Sequence, residues 1–69
     1  MIRYARIKSS KRLQRVLRLL TDGAEYSTRE IIRLADVCAV NSIITELRAQ
    51  GIPIASRCRR GIWLYRLGV

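Results

Sequence analysis

Apolar residues recur every three or four positions in three segments of the chain, a spacing typical of amphipathic helices. The first segment, predicted as a helix over 9–20, carries Leu13, Val16, Leu17 and Leu20. The second, over 27–35, carries Ile31, Leu34 and Ala35. The third, over 40–50, carries Val40, Ile44 and Leu47, with Ile43 beside them. We expect these residues to share one core, and Cys38, in the turn before the third helix, to pack inside with them.

Polar residues and glycines mark the ends of these helices. A hydroxyl can accept a hydrogen bond from an unpaired amide of the first turn, so Ser9 and Ser10 are candidate N-caps of the first helix. The second helix opens on the sequence STRE at 27–30, which has the spacing of a capping box. Gly23 and Gly51 follow the first and third helices, where a left-handed residue commonly ends a helix.

After Pro53 the pattern changes to period two, which predicts a β-hairpin over 52–67 with a basic, glycine-containing turn. One face of its second strand would carry Trp63, Tyr65 and Leu67. An isolated hairpin is marginal in water, so we expect this face to pack on the helices, or the hairpin to pair with residues near Tyr26. Trp63 and Tyr65 could instead stack on bases, but packing is favoured for both and also for Tyr26. The chain has no phenylalanine, which leaves few aromatic residues for a stacking surface.

The order of these elements resembles the winged helix-turn-helix fold, an α+β architecture, over residues 13–67. The resemblance is clearest at 27–32 and 40–52. Within the latter, the pattern I-x-E-L-R-x-x-G-I at 44–52 is similar to a recognition helix entering the wing in bacterial and phage DNA-binding proteins. The segment 61–67 is similar to the returning wing strand of biotin-repressor-type domains. No segment resembles their catalytic domain, so we expect one domain over 1–69, with a basic arm at 1–8, that binds double-stranded DNA.

The charge balance adds an independent argument for a polyanionic partner. The chain has 14 Lys and Arg against 5 Asp and Glu, a net charge of +9. All the acidic residues lie between positions 21 and 51, which leaves both ends strongly basic. Such a distribution favours binding to a phosphate backbone. Most of the cations are arginines, whose planar fork suits bidentate contacts with phosphate or guanine.

Side chains predicted to read bases lie opposite the apolar stripe of the third helix and are of types that pair with base edges: Asn41, Ser42, Thr45 and Arg48. Contacts to the DNA backbone or minor groove are predicted for Lys11, Arg12, Arg15, Arg18, Thr28, Arg57, Arg59 and Arg60. Arg3 and Arg6 would follow a minor groove, as homeodomain arms do. Each set has a plainer interpretation, namely a solvated helix face, a charged turn that aids solubility, or a surface for an acidic protein.

Other functional classes find little support in the sequence. The chain has no histidine, and no glycine-rich phosphate loop precedes a helix, so we expect no enzyme. Cys38 and Cys58 lack metal-ligand spacing, and we expect reduced thiols, no metal and no cofactor. No apolar run approaches the ~18 residues that cross a bilayer, and no secretory signal is present, so we expect a cytoplasmic, nucleoid-associated protein without membrane contact.

The resulting prediction is a sequence-selective duplex DNA binder resembling small phage or mobile-element regulators. A transcriptional regulator and an excisionase-like accessory factor both fit this description. Two alternatives stay open, a winged-helix adaptor that binds an acidic partner surface and an RNA-binding module. A weak homodimer on DNA is also compatible with the sequence, because dimeric helix-turn-helix proteins bind half-sites about one helical turn apart.

Overall fold

Three helices and a three-stranded antiparallel sheet form the fold in the computed structural model, which describes residues 10–68. In chain order the elements are α1 (Lys11–Leu20), β1 (Tyr26–Ser27), α2 (Thr28–Ala35), α3 (Val40–Ala49), β2 (Ile54–Arg59) and β3 (Ile62–Leu67). This order and the α+β class confirm the layout of a winged helix. The predicted basic arm with Arg3 and Arg6 lies outside the described residues.

Local hydrogen bonds explain where α1 and α2 begin. The hydroxyl of Ser10 accepts from the amide of Leu13 at 3.4 Å, at the start of α1. At α2 the amide of Glu30 donates to Ser27 Oγ at 3.1 Å, while Glu30 Oε1 accepts from the Ser27 amide at 2.9 Å. Both bonds of the predicted capping box are therefore present, and they satisfy amides that a helix start leaves unpaired. Gly23, with φ of 79°, follows α1 in the left-handed region.

The sheet has the order β1-β3-β2, so β3 lies in the centre. Arg60 and Gly61 connect β2 to β3 and both have positive φ, 54° and 78°, as a two-residue type I′ hairpin turn requires. Tyr26 pairs with Tyr65, which confirms that the hairpin joins the segment near Tyr26. We call the hairpin of β2 and β3 the wing.

Side chains on the wing alternate between two faces, because directly paired residues of neighbouring strands share a face. The inner face, which meets the helices, carries Ile54, Ser56, Cys58, Trp63, Tyr65 and Leu67. The outer face carries Ala55, Arg57, Arg59, Ile62, Leu64 and Arg66. Burial on the inner face falls along the wing from Ile54 and Tyr65 towards the exposed pair Cys58 and Trp63 near the turn.

All three helices and the sheet contribute to one apolar core. Its buried residues are Leu13, Val16, Leu20, Ile31, Ala35, Val37, Val40, Ile43, Ile44, Leu47, Ile52, Ile54 and Tyr65. Leu17, Tyr26 and Leu67 pack against this core while partly exposed. The apolar stripes of α1 and α3 are therefore confirmed as core-facing. Among the described residues, none of the helices has the length and apolar character needed to span a bilayer.

Two predicted core positions, one near the end of α2 and one in the turn that follows it, are wrong. Leu34 is 53% exposed, because Ile31 and Ala35 define the buried side of this short helix and Leu34 lies about 100° round the helix from Ala35. Cys38 is exposed as well. The chain turns through a left-handed Asp36, with φ of 53°, and this turn buries the neighbouring Val37 in place of Cys38.

The prediction for Trp63 is also wrong. We expected the indole to pack on the helices together with Tyr65 and Leu67, yet it is 50% exposed. Tyr65, by contrast, is buried. The reason is position along the wing, since Trp63 lies two residues closer to the turn and its cross-strand partner Cys58 is exposed too.

Candidate nucleic-acid interface

A notch of about 330 Å³ separates α3 from the inner face of the wing. From α3 it is lined by Asn41, Ile44, Thr45 and Arg48, and from the wing by Ser56, Trp63 and Tyr65. Three of the four predicted base-reading residues therefore meet in one place. Ser42, the fourth, is exposed on α3 but does not line the notch. The name notch is used below for this space together with the residues that line it.

Arg48 joins α3 to the wing. Its Nε donates to the carbonyl oxygen of Ile54 at 3.2 Å, and its Nη2 donates to the same oxygen at 2.8 Å and to Ser56 Oγ at 3.0 Å. Bidentate pairing with guanine needs two donor nitrogens of the guanidinium, so it would require release of at least one of these groups. Base reading by Arg48 stays a prediction, while a structural contact of the same side chain is observed.

Asn41 and Thr45 have partners within the notch as well. Asn41 Oδ1 accepts from the hydroxyl of Tyr65 at 3.2 Å, and the Thr45 hydroxyl donates to the backbone oxygen of Asn41 at 2.9 Å. These bonds leave the amide N–H groups of Asn41 and the methyl group of Thr45 available, and such groups can contact adenine and thymine. Each of the two side chains therefore has a hydrogen-bond partner within the protein before any ligand binds.

The arginines of the wing fall into two groups. Arg57 forms a bidentate ion pair with Glu25, at 2.9 Å from Nε to Oε2 and 2.8 Å from Nη2 to Oε1. This hydrogen-bonded pairing holds the pKa of Glu25 below its ordinary value and raises the pKa of Arg57. Arg59 and Arg60 are different, because within residues 10–68 their guanidinium groups form no ion pair or side-chain hydrogen bond. The tip of the wing therefore carries positive charge that no direct ion pair in this part of the chain neutralises.

The basic face predicted on α1 does not reach the notch. Arg15 instead donates from Nε to the backbone oxygen of Ala35 at 2.8 Å and from Nη2 to that of Asp36 at 3.1 Å. A cation at this position satisfies carbonyls at the C-terminus of α2 and interacts favourably with the helix dipole. Arg12 Nη2 lies 3.6 Å from Glu46 Oε2, and both side chains are about half exposed. Such an exposed ion pair contributes little to stability. Lys11 and Arg18 are exposed.

Sequence reasoning missed a second recess, of about 850 Å³, between the start of α2 and β3. It contains Thr28, which was predicted to contact DNA, but its exposed apolar residues are Ile32, Ile62 and Trp63. The adjacent pair Ile31 and Ile32 was a signal for it. Neighbouring residues of a helix point about 100° apart, so both isoleucines cannot face the core.

Other chemistry is sparse in the described part of the chain. Residues 10–68 contain no group of three or more histidine, cysteine, aspartate or glutamate side chains arranged to hold a metal ion. Cys38 and Cys58 are both exposed and unpaired thiols.

No protein-family model, curated protein or solved structure matches this chain. The function is therefore inferred from the geometry and charge of the notch and the wing.

Proposed function

We propose that this protein is a sequence-selective double-stranded DNA-binding protein that inserts α3 into the major groove and lays the wing along the neighbouring backbone. The observation that carries the proposal is the position of the notch. Polar side chains of α3 are exposed there beside a wing whose tip bears Arg59 and Arg60.

The dimensions of α3 suit this role. An α-helix with its side chains is about 10–12 Å across, and the major groove, about 12 Å wide, accepts one helix such as the ten-residue α3. Asn41 and Thr45 are four residues apart and lie on the same face, with Ser42 beside them. Asparagine pairs with adenine, and the threonine methyl group contacts thymine. These three residues are the proposed base-reading set, and Arg48 adds to it only if its bonds to the wing open.

The wing supplies the sequence-independent part of the binding energy. Arg59 and Arg60 are free to approach phosphates or a narrow minor groove. With other cations they would neutralise about four to six phosphates, so the logarithm of the binding constant should fall with the logarithm of salt concentration at a slope of about −4 to −5. Arg57 contributes less, because Glu25 already neutralises it.

Within this proposal the protein acts by occupying DNA, without catalysis. A small transcriptional regulator and an excisionase-like accessory factor are the two roles that fit, and a weak homodimer on DNA fits both. A paired arrangement would appear as two half-sites about one helical turn apart.

Selection from a random pool of duplex DNA, with sequencing of the bound fraction, tests the proposal. We expect enrichment of one short motif, single or repeated as a palindrome. Thr45→Ala should lower affinity for that motif more than for random duplex. Arg33→Gln, an exposed arginine of α2 outside the notch, serves as the control and should leave the preference for the motif unchanged. Absence of any enriched motif, or equal competition by structured RNA at physiological salt, contradicts the proposal.

A further inference from the structure

We propose that the recess between α2 and β3, called here the α2–β3 groove, binds an acidic segment of a partner protein that also carries apolar residues. This site is additional to the DNA-binding function proposed above. The groove is lined by Ser27, Thr28, Arg29 and Ile32 on one side and by Ile62 and Trp63 on the other, with Gly61 and Leu64 at its ends.

The groove concentrates apolar surface. Ile32, Ile62 and Trp63 are 41%, 56% and 50% exposed, and they are three of the four exposed large hydrophobic residues in the described part of the chain. Single exposed apolar residues are normal on a protein surface, whereas three that line one recess make that recess a candidate interaction site. The fourth exposed residue, Leu34, lies elsewhere on α2.

The charge around the groove selects its partner. Arg29 is part of the lining, and Arg59 and Arg60 are adjacent to Ile62 and Gly61. No acidic residue lines the groove, and Glu30, the nearest one in sequence, is engaged in the capping box. In a symmetric dimer through this groove the same arginines would face each other. A segment that carries both acidic and apolar residues satisfies the charge and the apolar surface together.

The groove and the notch can be tested separately. Of the residues that line the groove, only Trp63 also lines the notch. Trp63 is also the single tryptophan of the chain, so its fluorescence responds to binding at either place. Substitutions of Arg29 and Ile32, which line the groove but not the notch, assign the response to the groove.

The experiment is a titration of the full-length protein with a short synthetic peptide that alternates Glu and Val, followed by Trp63 emission. A matched peptide that alternates Lys and Val is the control. We expect a saturable blue shift with the acidic peptide only. Ile32→Asp and Arg29→Glu should each weaken binding of this peptide by about tenfold or more, and Leu34→Asp on the same helix should leave it unchanged.

Several outcomes would overturn the inference. They are no shift with the acidic peptide, an equal shift with the basic peptide, and a blue shift on raising the protein concentration alone, which would indicate a second copy in the groove.

Circular dichroism verifies that each variant is folded. Duplex binding by Ile32→Asp should match that of the wild type, because Ile32 does not line the notch. Loss of DNA binding in this variant would assign the groove to the DNA interface instead. Failure of peptide binding alone leaves the proposed DNA-binding function intact.

Discussion

On the notch side of α3 the polar and basic side chains are hydrogen-bonded within the described part of the chain, whereas the two arginine side chains at the tip of the wing are not. On α3, Asn41 accepts a hydrogen bond from Tyr65, and Arg48 is bound to two groups of β2. At the tip, the guanidinium groups of Arg59 and Arg60 have no such partner among residues 10–68. In the proposed DNA complex, the helix side would present a preorganised surface that discriminates among bases, while the tip would supply affinity without discrimination.

A substitution in the apolar core that packs against α3 should have the greatest effect on stability. Ile43 is completely buried, so Ile43→Ala should lower the free energy of unfolding by about 2–5 kcal/mol. At about 0.05–0.15 kcal/mol per residue, that loss is a large part of the stability of a domain this small. Urea unfolding followed by circular dichroism measures it. Leu34→Ala, at an exposed position of α2, should cost less than about 1 kcal/mol, and equal losses for the two variants would contradict the described core.

Arg48→Ala removes the side chain that links α3 to the wing. Loss of the bonds to Ile54 and Ser56 should lower the free energy of unfolding by about 1–3 kcal/mol. Affinity for the selected DNA motif should fall by about tenfold and affinity for random duplex by less, because the wing would no longer be held in place. Amide chemical shifts of Ser56 and Tyr65 report on the position of the wing. Unchanged shifts and unchanged stability would mean that Arg48 does not hold the wing.

At the tip, Arg59→Gln and Arg60→Gln should weaken binding to every duplex equally and make the salt slope shallower by about 0.9 each. Arg57→Gln should change the slope less, because its charge is already paired with Glu25. Fluorescence anisotropy at several salt concentrations gives these slopes. If Arg57→Gln has the same effect as Arg59→Gln, the Glu25 pair does not restrain Arg57 in solution.

The smallest effect concerns the pH dependence of stability. The ion pair with Arg57 lowers the pKa of Glu25 in the folded protein below its ordinary value of about 4.3. Its stabilising contribution is therefore complete above about pH 4.3 and is lost as the pH falls through the lower folded-state pKa. Thermal unfolding between neutral pH and about pH 3 should show a shallower acid decline for Glu25→Gln than for the wild type.

Asp22 requires its own control in this experiment. A hydrogen bond from the hydroxyl of Tyr26 lowers the pKa of Asp22 in the same direction. Asp22→Asn should therefore remove a separate part of the acid decline. An unaltered decline in both variants would mean that neither carboxylate gains its stabilising partner in solution.

Much of the architecture could be predicted from short stretches of sequence. The apolar stripes of α1 and α3, the capping box of Ser27 and Glu30 and the hairpin all depend on residues within a few positions of each other. The errors at Leu34, Cys38 and Trp63 arise where burial depends on how far a neighbouring element extends. A periodic pattern indicates which side of an element a residue occupies, but not whether anything covers that side.

The three helices, the hairpin and their order follow from local features of the sequence, because propensity, capping and turn chemistry act between near neighbours, and the concentration of positive charge follows from composition. Which polar groups are available for a ligand depends on the packing of the elements. Arg15 bonds a carbonyl 20 positions away, Asn41 a hydroxyl 24 positions away and Arg57 a carboxylate 32 positions away. Contacts at such separations form only when the helices and the wing pack together, and no local pattern specifies them.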